Sequence, residues 1–219
     1  MQPVTQHNNF ILFTLSLVIL LLVSAVGHSL PHKMGVVFSH ITTLLTFIVA
    51  YVTLNFGPRW HRFVGTLFVL SLLANTFGEY VHYPTGQLTR HLLVLVFFTA
   101  AAYNAARQVL MSDEVKTNII VGALAIYLLL GLIWATLYEL VLLFFPLAIN
   151  GIDPVGSVNT FPESVYFSYV TLATLGYGDI TPAMPLTRTL AYLEAIAGTF
   201  YLAIVVASLI GAAKSKRKH

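Results

Sequence analysis

Long apolar runs, punctuated by proline, glycine and isolated basic residues, set the pattern of the whole chain. A helix that crosses a bilayer needs about 20 mostly apolar residues. That criterion predicts spans near 9 to 29, 34 to 56, 60 to 80, 88 to 111, 115 to 146 and 185 to 212. Breaks support these limits: Pro31, Gly57 with Pro58, Pro84 with Gly86, and the stretch from Pro146 to Pro162. A shorter apolar stretch, Pro162 to Ala173, cannot cross and leads straight into a glycine-containing loop. It predicts a re-entrant helix between the fifth and sixth spans, in an all-α membrane fold.

Composition agrees with lipid as the main solvent. The 219 residues are 58% hydrophobic and 9% charged, with a mean hydropathy of +0.83, well beyond an ordinary soluble domain. Phe10 to Val26 lacks a basic start and a small-residue cleavage site, so it reads as a true span and not a signal peptide. No cysteine is present to form a disulfide or thiolate site. The net charge of +3 is concentrated at the end of the chain, in Lys214, Lys216, Arg217 and Lys218. Such a tail stops the last span and attracts anionic membrane lipid; it does not suggest nucleic acid. An inside amino terminus puts Arg59, Arg62, Arg107, Lys116 and the basic tail on the cytoplasmic side, leaving Lys33, Arg90 and Arg188 outside. Both termini are therefore expected to be cytoplasmic.

Chemistry concentrates in Thr174, Leu175, Gly176, Tyr177, Gly178 and Asp179. Non-helical backbone at membrane depth is tolerated where it is buried in protein or lines a cavity. Successive carbonyls can replace the water shell of a cation if they face one side, which requires positive φ at alternate positions. Gly176 and Gly178 are spaced for that geometry. One chain supplies one wall of such a tube, so several copies around an axis are required. Thr174 can add its hydroxyl at the lower end, and Asp179 can brace the outer mouth or concentrate cations.

The segment Pro162 to Pro182, containing YFSYVTLATLGYGDITP, resembles the pore loop of the potassium channel superfamily, whose filter is usually TVGYG followed by Asp. The sixth span, PLTRTLAYLEAIAGTFYLAIVVASLIG, resembles the pore-lining helix of small bacterial members. The resemblance implies a homotetramer in the cell (inner) membrane. It also implies a filter at 174 to 178 that binds K+ at Thr174, Leu175, Gly176 and Tyr177. Potassium is then the permeant ion, with no cofactor and no enzymatic step. Residues 1–111 are expected to form a four-helix transmembrane domain, and 112–219 a pore domain with outer helix, pore helix, filter, inner helix and basic tail. Leu175 replaces the usual Val and Ala173 a common Thr. Tyr166 and Phe167 replace two tryptophans and with Tyr169 would form an aromatic collar; Val170 replaces a carboxylate found in some relatives.

Gly198 matches a gating hinge in that family, while close packing against a neighbouring helix is the alternative. Between Arg90 and Arg107 the fourth span has no Lys or Arg, so steep voltage gating is not expected. Glu139 and Glu194 lie in apolar spans, either as hydrogen-bonded structural carboxyls or as proton sensors. The histidines offer no compact metal spacing beyond His28 and His32. No nucleophile with a base and no phosphate loop points to an enzyme. A less selective cation channel and a non-conducting sensory subunit stand as alternatives. Gating by a separate cytosolic regulatory subunit is compatible with a chain that carries no soluble sensor of its own.

Overall fold

The computed structural model describes residues 9–28, 45, 47–49, 51, 58–78, 85–110, 117–153 and 160–216. Its helices are α1 (Asn9–His28), α2 (Pro58–Gly78), α3 (Thr85–Leu110), α4 (Thr117–Phe144), α5 (Phe161–Leu172) and α6 (Pro185–Lys216). Two short strands, β1 (Ile149–Asn150) and β2 (Thr181–Pro182), pair antiparallel with Ile149 opposite Pro182. Helices α1, α3, α4 and α6 are long and apolar enough to cross a membrane. This is a mostly helical, multi-pass membrane protein. Among the residues of α2 whose side chains are described, Trp60–Leu73 is a shorter apolar stretch. The expected span at 34 to 56 lies largely outside the described residues, of which 45, 47–49 and 51 are helical.

The pattern of burial fits a lipid-facing bundle. On α1, Phe10, Phe13, Leu17 and Leu20 are buried, at helical spacing along one face. Ile11, Leu15, Ile19 and Leu22 are exposed on the remainder, where a lipid-facing helix keeps apolar side chains. Hydrocarbon gives little drive for burying one apolar helix against another, so close packing has to supply the association. Small residues make it available. Ala101, Ala102 and Ala105 of α3 lie in the core with Phe97, Phe98 and Phe47, and with Ala125, Ile126 and Leu129 of α4. At Gly122 a Cβ would come within 2.9 Å of both Phe10 and Val109, so α1 and α3 converge on α4 there.

Contacts between elements fix the directions of these helices. The Phe10 amide donates to Asn118 Oδ1 (3.3 Å), placing the start of α1 beside the start of α4. Helix α1 also touches α5, which packs on the later half of α4, so α1 and α4 run parallel. Helix α3 is antiparallel to α4, because Val109 meets Gly122 and His91 meets Glu139. A second cluster, with Tyr138, Leu142, Ala148, Ile149, Ile152 and Phe167, ties the far end of α4 to the two strands and α5.

Candidate functional site

Helix α5 starts on a favourable sequence, with Pro162 in the first turn and Glu163 at the positive end of its dipole. Its carboxyl end is closed by a hydrogen-bond pattern that usually needs glycine. The Thr174 amide donates to the Thr171 carbonyl (3.0 Å) and the Leu175 amide to the Val170 carbonyl (2.8 Å). The residue in the left-handed position is Thr174, with φ of 57°. For a β-branched residue that conformation costs about 1–2 kcal/mol, and such strain concentrates at functional sites. Gly176 (φ 60°) and Gly178 (φ 84°) repeat it at every second residue. Sequence spacing anticipates the two glycines; it gives no hint that the alternation begins one step earlier, at Thr174.

The loop stands clear of its own chain. Ala173 through Asp179 are exposed, Leu175 at 58% and Tyr177 at 68%, and a Cβ on Gly176 or Gly178 would meet nothing within 4 Å. At its end, Tyr166 donates its hydroxyl to Asp179 Oδ2 (2.7 Å) and its ring stacks on Tyr177 with centroids 6.5 Å apart. The Tyr166 hydrogen bond holds the Asp179 carboxyl below the usual carboxylate range, so it is ionised at neutral pH. Gly151 (φ 88°), just after β1, lets the backbone pass close to the Asp179 carbonyl, where a Cβ would lie at 2.6 Å. Nothing in the local sequence pattern connects Gly151 with Asp179, which follows it by 28 positions.

The other expected collar residues turn elsewhere within the chain. Phe167 packs on Tyr138 with ring centroids 4.8 Å apart, and Tyr169 donates to the Leu128 carbonyl (2.6 Å). The Tyr169 ring fills the space left at Gly131, where a Cβ would collide with it. Gly198 of α6 has a similar neighbour of a harder kind. A Cβ there would run into the Leu172 carbonyl oxygen, main-chain atoms directly below Thr174. Close packing at Gly198 is therefore a fact of this fold, whatever hinge role it also has.

Both intramembrane carboxyls grip α5, through serines one helical turn apart. Glu139 of α4 accepts from Ser164 Oγ (2.6 Å) and from Thr160 Oγ1 (2.9 Å). Glu194 of α6 accepts from Tyr138 of α4 (2.6 Å) and from Ser168 Oγ (2.5 Å), whose hydroxyl also lies 2.8 Å from the Gly131 carbonyl. Glu194, Tyr138, Ser164 and Ser168 are all fully buried. A carboxyl in apolar surroundings is costly unless its oxygens are satisfied, and here they are. Replacing Glu194 with Ala would strand the Tyr138 hydroxyl, at about 1–3 kcal/mol, while Ser168 keeps the Gly131 carbonyl as acceptor. Glutamine keeps an acceptor for Tyr138 and a donor for Ser168. Glu194→Ala is thus expected to lower the unfolding temperature in detergent markedly, and Glu194→Gln to retain most of it; equal loss in both would contradict a hydrogen-bonding role.

The elements around this loop match a known domain. Residues 122–214 fit the family model described as "Ion channel", which takes in α5, the loop and almost all of α4 and α6. The chain is also similar to the inward rectifier potassium channel Kirbac3.1 of Paramagnetospirillum magnetotacticum, at 49% identity over 51 residues. That stretch is 23% of this chain and 17% of the relative, so the chain matches less than a fifth of that protein's length. No solved structure matches. The two sequence matches support the resemblance to the potassium channel superfamily and point to a channel, not an enzyme. Within residues 122–214 the left-handed backbone recurs at Thr174, Gly176 and Gly178. Among the described residues no group of three or more His, Cys, Asp or Glu could hold a metal ion.

Proposed function

We propose that this chain is one subunit of a homotetrameric channel that conducts potassium passively through a pore formed by four copies of residues 112–219. The observation that carries the reading is the left-handed backbone at Thr174, Gly176 and Gly178, directly after the end of α5. Alternating backbone of that kind turns successive carbonyls to one side. Oxygens of Thr174, Leu175, Gly176 and Tyr177 then replace the hydration shell of K+, with Gly178 closing the turn before Asp179. A loop exposed along its length within its own chain is what a subunit presents before its neighbours are in place. In this reading α5 is the re-entrant pore helix, with the negative end of its dipole toward the ion path. The ionised Asp179 carboxylates then surround the outer mouth.

Helix directions support six crossings. With α1 and α4 parallel and α3 antiparallel, an even number of crossings separates α1 from α3, and α2 with the stretch at 34 to 56 supplies two. Both termini then lie on the cytoplasmic side of a bacterial inner membrane, where the basic tail meets anionic lipid and a separate regulatory subunit would have access. Residues 1–111 form a peripheral helical domain in which α3 has no basic residue between Arg90 and Arg107, so little charge moves through the field and the channel is not strongly voltage-gated. Purified protein in liposomes, with reversal potentials read in mixed potassium and sodium, tests the proposal. The expected potential follows the potassium gradient; equal permeation of sodium would refute potassium selectivity, and absence of flux would refute conduction.

A further inference from the structure

We infer that His91 and Glu139 form a shared proton-binding site through which the peripheral helices regulate the pore helix. This inference rests on the channel reading above. The His91 Nδ1 atom lies 2.8 Å from the Gln87 carbonyl oxygen, one turn earlier on α3. A carbonyl only accepts, so Nδ1 carries a hydrogen. In the neutral ring the lone pair is then on Nε2, which faces Glu139 Oε2 at 3.6 Å. Two acceptors face one another unless a proton sits between them, on the imidazole or on the carboxyl. His91 is 9% exposed and Glu139 7%, so water does little to relieve that opposition. A single proton therefore decides whether the contact between α3 and α4 attracts or repels.

What the proton controls follows from the other partners of Glu139. The oxygen that faces His91, Oε2, accepts from Thr160 immediately before α5, and Oε1 accepts from Ser164 in its first turn. The carboxyl thus joins α3, α4 and the start of α5. Several charged and titratable groups among the described residues lie on the elements around this pair. From α3 comes Arg90, whose charge also acts on Glu139; α5 contributes Glu163 in its first turn. Beside Glu139, Tyr138 is bound to Glu194 of α6. On α2, His61 rests against Tyr51, and between Asn9 and Val26 α1 has no titratable side chain. Arg90 and Glu139 act on each other through charge, while the atom that faces Glu139 Oε2 is His91 Nε2. With the proton bound, Glu139 is held to α3 and the start of the pore helix is fixed. Once it is lost, Oε2 is repelled and the grip on Thr160 weakens.

Imidazoles as a class change charge between about pH 5 and 8, and the flux experiment spans that range. The test is potassium flux in liposomes of the full chain, with the same pH on both sides, for wild type, His91→Gln and Arg90→Gln. The expected result is wild-type flux that falls severalfold as pH rises through this range, a flat profile for His91→Gln, and a retained slope for Arg90→Gln. In parallel, NMR of the 15N-labelled His91 ring should show a titration that Glu139→Gln displaces. Flux with the same pH profile in wild type and His91→Gln overturns the inference while leaving the channel reading intact. No flux at any pH overturns the channel reading, and the ring titration then still decides whether the site exists; a titration unmoved by Glu139→Gln shows that it does not.

Discussion

Potassium flux is expected to vanish when Gly176 is replaced by Asp, with the protein still inserted in the membrane and assembled. Three effects act together at this position. A side chain at φ of 60° costs about 1–2 kcal/mol that glycine avoids. Within one chain the Cβ would meet nothing, so the carboxylate would extend into the space that the loops of other copies need. A charged group would also stand where carbonyl oxygens are proposed to bind the ion. Gly176→Ala separates the first effect from the others, because it adds the backbone strain and a single methyl group without charge. It should reduce flux and weaken discrimination between potassium and sodium without abolishing conduction. Unchanged flux in Gly176→Asp would remove the loop from the ion path.

Gly198→Ala is the second large effect, and two opposing terms decide its sign. In an exposed helix interior alanine is favoured over glycine by about 1 kcal/mol. Here the added methyl, whose position the backbone fixes, points at the Leu172 main-chain carbonyl, so no side-chain rotation can relieve it. Overpacking of this kind typically costs about 1–3 kcal/mol, and the contact is severe enough to put it at or above the upper end. The clash wins. The end of α5 is the surface that gives way, and Thr174 follows it by two residues. The expected result is a lower unfolding temperature together with loss of selectivity or flux. A raised unfolding temperature with altered opening alone would identify Gly198 as a hinge and not a packing contact.

Much of this was legible in the sequence because membrane helices are specified locally. Length and apolarity alone locate α1, α3, α4 and α6, since each segment must satisfy its own backbone in lipid. Their ends fall within a few residues of the positions set by Pro31, Pro84, Pro146 and the basic tail. The loop at 174 to 179 was equally legible, because the conformation of glycine is a property of the residue itself. Glu139 and Glu194 could be singled out for their cost in an apolar segment, but their partners could not be named.

Those partners lie far apart along the chain. Glu139 is bound by Ser164 and Thr160, Glu194 by Tyr138 and Ser168, and Asp179 by Tyr166, which stacks on Tyr177. Helical phase tells which residues share a face; it does not tell which other helix that face meets. Thr174 shows the same limit in the backbone: threonine disfavours the left-handed region, and the way α5 closes on Thr171 and Val170 places it there. The sequence by itself determined where α1, α3, α4 and α6 lie and the loop with alternate glycines, because both follow from residue-level solvation and sterics. Only the tertiary structure decided that two buried carboxyls hold one short helix at successive turns, that Gly198 abuts the carbonyl below Thr174, and that His91 faces Glu139. Those are contacts between elements, set by how the faces of separate helices meet.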